Sequence, residues 1–111
     1  MNHGLSSAAV ERIRAVLARF PSVERAVLYG SRAKGTFKPG SDIDLVLEGD
    51  GLRWAELATI ADQLDELLLP YQIDLSILHQ LDHAELRHHI ERVGQVLYEK
   101  NEGPGPATTS G

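Results

Sequence analysis

Apolar residues recur along this chain with two periods, and the switches between them mark out its elements. From Ser6 or Ser7 to about Arg19, Val10, Ile13, Leu17 and Phe20 fall on one stripe at helical spacing, behind a serine suited to cap the first turn. Pro21 stops that helix. Val23 to Tyr29 predicts a strand, and so does Ser41 to Glu48, where Ile43, Leu45 and Leu47 share the face turned away from Asp42 and Asp44. Glu48-Gly49-Asp50-Gly51 is a turn. A second long helix is expected over Leu52 to Leu69, with Trp54, Leu57, Ile60, Ala61, Leu64 and Leu68 as its buried stripe, and Pro70 at its end.

Tyr71 to Leu78 returns to alternation, placing Ile73, Leu75 and Ile77 on one face and Asp74 and Ser76 on the other. Asp82-His83-Ala84-Glu85 reads as a capping box. It opens a helix to about Val93 with Leu86, Ile90 and Val93 facing inward. Gly94 ends it, and Gln95 to Glu99 forms a last short strand. The pattern predicts an α/β (α+β) domain, a small mixed β-sheet with helices packed on it, over residues 1–100. Residues 101–111, rich in Gly, Pro, Thr and Ser, read as a flexible C-terminal tail.

The stretch between the first two strands carries the chemistry. It runs Gly30-Ser31-Arg32-Ala33-Lys34-Gly35-Thr36-Phe37-Lys38-Pro39-Gly40-Ser41-Asp42-Ile43-Asp44-Leu45. Side chains at i and i+2 of a strand share a face, so Asp42 and Asp44 stand side by side while Ile43 and Leu45 turn into a core. Two carboxylates ~4 Å apart repel by about 4 kcal/mol at an effective dielectric of ~20. That pairing asks for a cation. Oxygen-only ligands on a rigid edge suit magnesium, which takes one or two carboxylates and completes its shell with water and substrate phosphates.

The rest of the loop suits a phosphate. Gly30 and Gly35 let backbone approach an anion closely. A helix start at Ser31 offers unpaired N–H groups. Arg32, Lys34 and Lys38 can add charge-assisted bonds. Two better-known loops are excluded. Gly30-x-x-x-x-Gly35 has Thr36 where a P-loop needs lysine, and Asp42-x-Asp44 has Val46 where an EF-hand needs a polar ligand. Asp74 adds a third carboxylate amid an apolar strand, costly there unless it is paired, hydrated or metal-bound. If the second and third strands are neighbours, Asp74 faces the same way as Asp42 and Asp44, around one point.

Composition narrows the classes. The chain has 111 residues and a net charge of -5, so the basic loop is a local exception and no broad nucleic-acid face is expected. There is no cysteine, which fits a reducing cytoplasm, and neither a signal peptide nor an apolar run of membrane length appears. His79, His83, His88 and His89 lack zinc-type spacing and read as a solvated polar face.

Gly30-Ser31, ten residues, then Asp42-x-Asp44, with the later Asp74, resembles the signature of the DNA polymerase β-type nucleotidyltransferase superfamily, and within it the minimal nucleotidyltransferase (MNT) domains. These are often encoded beside a HEPN-domain protein as the antitoxin of a toxin–antitoxin pair. The resemblance runs from about Ser6 to Glu99. It implies the polymerase β-like nucleotidyltransferase fold. It also implies that Gly30 and Ser31 hold the triphosphate of ATP, to which the loop's charge adds Arg32 and Lys38 as expected ligands. Asp42, Asp44 and Asp74 would bind magnesium, as two ions, and Asp74 would act as base toward the acceptor hydroxyl. The expected reaction is transfer of AMP to a hydroxyl, a tyrosine, of a partner HEPN toxin. Two rival functions stand beside it: an antitoxin that neutralises its partner by binding alone, and nucleotidyl transfer to a small molecule such as an aminoglycoside.

Overall fold

The computed structural model describes residues 4–36, 38, 41–81 and 83–100. Phe37, Pro39 and Gly40 of the loop, Asp82 of the expected capping box and the expected tail at 101–111 lie outside the described residues. The elements are α1 (Ser7–Leu17), β1 (Arg25–Tyr29), α2 (Gly30–Lys34), β2 (Ile43–Glu48), α3 (Trp54–Asp65), β3 (Ile73–Ile77), a 3-10 turn (Leu78–Gln80), α4 (Ala84–Val93) and β4 (Gln95–Glu99). The described strands form a four-stranded sheet in the order β3-β2-β1-β4. β1 pairs antiparallel with β2 and β4, while β2 and β3 run parallel across the α3 crossover. The sheet is mixed, as expected.

Register assigns every strand residue to a face. Leu28 lies opposite Leu45, Ala26 opposite Leu47, and Ile43, Leu45 and Leu47 opposite Ile73, Leu75 and Ile77. This face packs under α1 and α3 into the main core, with Ile13, Leu17, Ile60 and Leu64. The other face carries a smaller cluster of Val27, Val46 and Ile90 under α4. The core is therefore lopsided. At the β1–α2 end of that thinly covered face, the rows of the sheet hold Tyr29, Asp44 and Asp74. Leu45 is fully buried in the main core. Leu45→Ala should cost about 2–5 kcal/mol, whereas Val96→Ala, 49% exposed, should stay within about 0.5 kcal/mol, as read from urea midpoints.

Several expectations are corrected at helix ends. α1 begins as expected, with Ala9 N donating to Ser6 Oγ at 3.1 Å, but it ends at Leu17. α3 spans Trp54–Asp65 rather than Leu52 to Leu69. Leu67 N and Leu68 N donate to the carbonyls of Leu64 and Asp65, tightening the last turn, and Leu68 then takes a left-handed φ of 56° that swings the chain toward β3. Leu68 is consequently 88% exposed, not buried. Trp54, as the first residue of α3, points outward at 54% exposure, and Ala61 is exposed on the flank of the stripe. Leu57, Ile60 and Leu64 hold the buried face. α4 is capped by His83, whose Nδ1 accepts from Leu86 N at 3.4 Å. Among the described residues, no helix is long and apolar enough to cross a membrane.

Candidate active site

Asp44 is the centre of the site. It sits second in β2, opposite Tyr29 on β1 and opposite Asp74 on β3. Neighbouring strands lie about 4.8 Å apart, so the register alone makes Asp44 and Asp74 adjacent on one face. Asp42 precedes β2 and is exposed, as is Asp74; Asp44 is half-buried. Burial raises the pKa of Asp44 above the ordinary carboxylate value, and the negative charges of Asp74 and then Asp42 push it the same way. The three aspartates thus form one electrostatic unit.

They do not close around a single point. Among the described residues, no three acidic, histidine or cysteine side chains converge as one ligand cluster. The expected convergence is corrected to a row: Asp44 and Asp74 are pinned by the strand ladder, whereas Asp42 is carried by the loop in front of it. The donor set still fits magnesium, because that ion needs only one or two carboxylates and takes its other oxygens from water and phosphates. Asp42, Asp44 and Asp74 are the residues that would hold it.

The loop is built tightly against this row. Gly30 has a φ of +77°, a conformation that side chains rarely adopt. A Cβ at Gly30 would fall on Asp44 Oδ2, with Asp44 Cγ only 3.3 Å away. Any other residue here would be strained in its backbone and would push aside the carboxylate lying against it. Gly35, φ +81°, ends α2 in open space. The carbonyl of Ser31 accepts from Thr36 N at 3.0 Å, and Ala33 O accepts from Gln95 Nε2 at 2.9 Å, tying α2 to β4. Lys38 is exposed, while its backbone N donates to Ser41 Oγ at 2.8 Å and its carbonyl accepts from Ser41 N at 2.9 Å.

Arg32 departs from its expected role. It is only 1% exposed, and its Nε donates to the Ser41 carbonyl at 3.0 Å. Its guanidinium lies 4.6 Å above the Tyr71 ring centroid. A side chain so enclosed does not present itself to a triphosphate. It turns inward because the short α2 packs against β1 and β2 with Arg32 and Ala33 on its buried side.

One side of the row was not anticipated from the sequence. The Tyr29 hydroxyl comes within 3.4 Å of Ser76 Oγ, so the phenol spans β2 from β1 to β3. His89 of α4 meets the Tyr29 ring edge-on, with centroids 6.3 Å apart. Tyr29 also packs against the small cluster of Val27, Val46 and Ile90. Its position at the end of a strand, directly before Gly30, was the available signal. The other histidines stay apart from the row: His79 and His88 are exposed and His83 caps α4.

Concavities of about 580 and 320 Å³ lie at the other end of the strands, around Arg25 and Glu48, which form a two-pronged pair at 3.0 Å. Neither is lined by the aspartates. The carboxylates lie on an accessible rim.

The fold is shared with solved toxin–antitoxin structures. One, a toxin–antitoxin with AMP-PNP, superposes with a TM-score of 0.68 at 23% identity, over 84% of this chain and 75% of that one. A second contains the tri-AMPylated Shewanella oneidensis HEPN toxin with its MNT antitoxin, with a TM-score of 0.66 at 20% identity, over 86% and 73% of the two chains. A third, the toxin–antitoxin MntA–HepT, gives a TM-score of 0.65 at 20% identity, over 85% and 73%. No curated protein matches the chain. The family model for "Polymerase beta, Nucleotidyltransferase" matches residues 11–103, a span that contains Gly30, the three aspartates and every strand. By that match, which spans most of its length, the chain belongs to the polymerase β nucleotidyltransferase family.

Proposed function

We propose that this chain transfers AMP from ATP to a tyrosine hydroxyl of a HEPN-type toxin and so acts as its antitoxin, with magnesium as the ion held by Asp42, Asp44 and Asp74. The observation that carries the reading is the register of Asp44 with Asp74, set against a glycine that cannot be replaced without striking Asp44. Family membership supports nucleotidyl transfer. The shared fold with complexes holding AMP-PNP and a tri-AMPylated HEPN toxin supports the nucleotide and the partner. The exposure of Asp42 and Asp74 supports an acceptor as large as a protein, which can approach an open rim.

In this mechanism the acceptor oxygen attacks the α-phosphorus and the bond to pyrophosphate breaks. Asp74 takes the acceptor proton, within hydrogen-bond reach of a hydroxyl that settles beside Asp44. Gly30 and Ser31 admit the triphosphate close to the backbone, and Lys38 reaches its oxygens from the loop. Bound magnesium would supply neutralisation of the triphosphate charge and of the departing pyrophosphate. Everything else is positioning, as in other phosphoryl transfers.

The test is the intact mass of the adjacent gene's product after co-expression with the wild-type chain and with Asp42→Asn. The expected result is a gain of one or more AMP units with the wild type only. A stable complex with no mass change in either case would replace catalysis with neutralisation by binding.

A further inference from the structure

We propose that Arg32 is a positioning residue that sets the distance between the two chain segments carrying the carboxylates. The inference rests on the nucleotidyl-transfer reading and deepens it. Asp42 is held by the loop and not by the β2 ladder, so something outside the ladder must fix it relative to Asp74. Arg32 touches both segments where they enter the sheet. Its Nε donates to the carbonyl of Ser41, the residue directly before Asp42. Its guanidinium stacks on Tyr71, which leads into the strand bearing Asp74. Between these contacts Ile43 N donates to Gln72 O at 2.8 Å and closes the junction of the two segments. α2 itself is anchored at its far side by Gln95.

Arginine is the side chain this junction needs. Its planar fork donates in its own plane while its face rests on an aromatic ring, and a lysine ammonium has no such flat face to hold both contacts in fixed directions. A guanidinium is also an expensive filler for a buried space that a methionine could occupy. Its retention at 1% exposure fits the control of geometry better than bulk.

The experiment compares wild type, Arg32→Met, Arg32→Lys and Tyr71→Leu, each in complex with its partner for transfer assays and alone for Mn²⁺ titration by electron paramagnetic resonance. Positioning predicts that Arg32→Met lowers kcat about 10- to 100-fold, as a misplacement near 1 Å does, with KM for ATP changed less than about threefold. It also predicts half-saturation by Mn²⁺ at about tenfold higher concentration with no nucleotide present. Arg32→Lys should recover little, because the charge without the fork does not restore the stack. Tyr71→Leu should show the same pattern in milder form, and it carries the test if Arg32→Met fails to fold.

A raised KM for ATP with unchanged Mn²⁺ binding would make Arg32 a phosphate ligand and overturn the proposal. A lowered Tm with kcat and Mn²⁺ binding intact would make it packing alone, and would overturn it equally. A wild-type chain that neither transfers AMP nor binds Mn²⁺ would overturn the nucleotidyl-transfer reading and this one with it. Variants that match an active, Mn²⁺-binding wild type would overturn this one alone.

Discussion

Asp44→Asn is expected to abolish transfer while making the isolated protein more heat-stable. The two effects have one origin. Asp44 is held against two other carboxylates and partly withdrawn from water, and its pKa is raised first by that burial, then by Asp74 and Asp42. A carboxyl whose folded pKa lies above its unfolded one binds more proton in the folded state, so ionising it counts against folding. That cost is fully present above the raised value and disappears as pH falls below the ordinary one. Asparagine removes it at neutral pH. A change of about 1 kcal/mol moves the Tm of a domain this size by roughly 4–8 °C, and solvent screening of a half-exposed group keeps the gain toward the lower figure. On the proposed reading, the same substitution removes a carboxylate that would hold the magnesium neutralising the triphosphate. Losing several kcal/mol of that stabilisation corresponds to about 10³-fold or more in rate. Calorimetry across pH 4 to 8 should show the Tm advantage of Asp44→Asn shrinking as the pH falls. Added magnesium should raise the Tm of the wild type and leave the variant unmoved. Equal Tm values for both proteins at every pH would remove Asp44 from the electrostatic unit.

Gly30→Ala is the second large effect, and Gly35→Ala is its control. Both glycines have φ near +80° and so share a backbone cost of about 1–2 kcal/mol on substitution. They differ in what the new methyl meets. At Gly35 nothing lies within 4 Å, whereas at Gly30 the methyl lands on Asp44 Oδ2. The two variants should therefore lose similar stability from strain, yet only Gly30→Ala should displace Asp44 and lower transfer, by about 100-fold. Parallel measurements of urea midpoint and turnover separate the two contributions. Equal activity in both variants would show that the carboxylate can move without loss.

The strand–loop–strand core of the site was legible because it is local. Alternation around Ile43, Leu45 and Leu47 fixes which way Asp44 faces, and the same parity puts Asp74 opposite Ile73 and Leu75; the observed register joins the two faces. What alternation does not carry is the depth of a long side chain. Arg32, ahead of two lysines in a glycine-bounded loop, reads as a phosphate ligand, and only the packing of a five-residue helix reveals that it is enclosed. The extent of α3 was overestimated for a related reason. Trp54 and Leu68 fit a helical stripe by spacing, but the chain must leave the helix early to run parallel to β2, and the left-handed Leu68 makes that departure. Tyr29 escaped notice because its partner, Ser76, is two strands away.

The parallel pairing of β2 with β3 has a temporal consequence. Asp44 and Asp74 are separated in the chain by the whole of α3, and parallel neighbours can meet only after that crossover has docked. Contacts between distant segments are the slow ones to form. A chain still emerging from the ribosome, or clipped anywhere before β3, can own a complete glycine loop and its first two aspartates and yet have no assembled site. Assembly of the carboxylate row thus comes late, and reports that α3 has docked and β3 has joined the sheet.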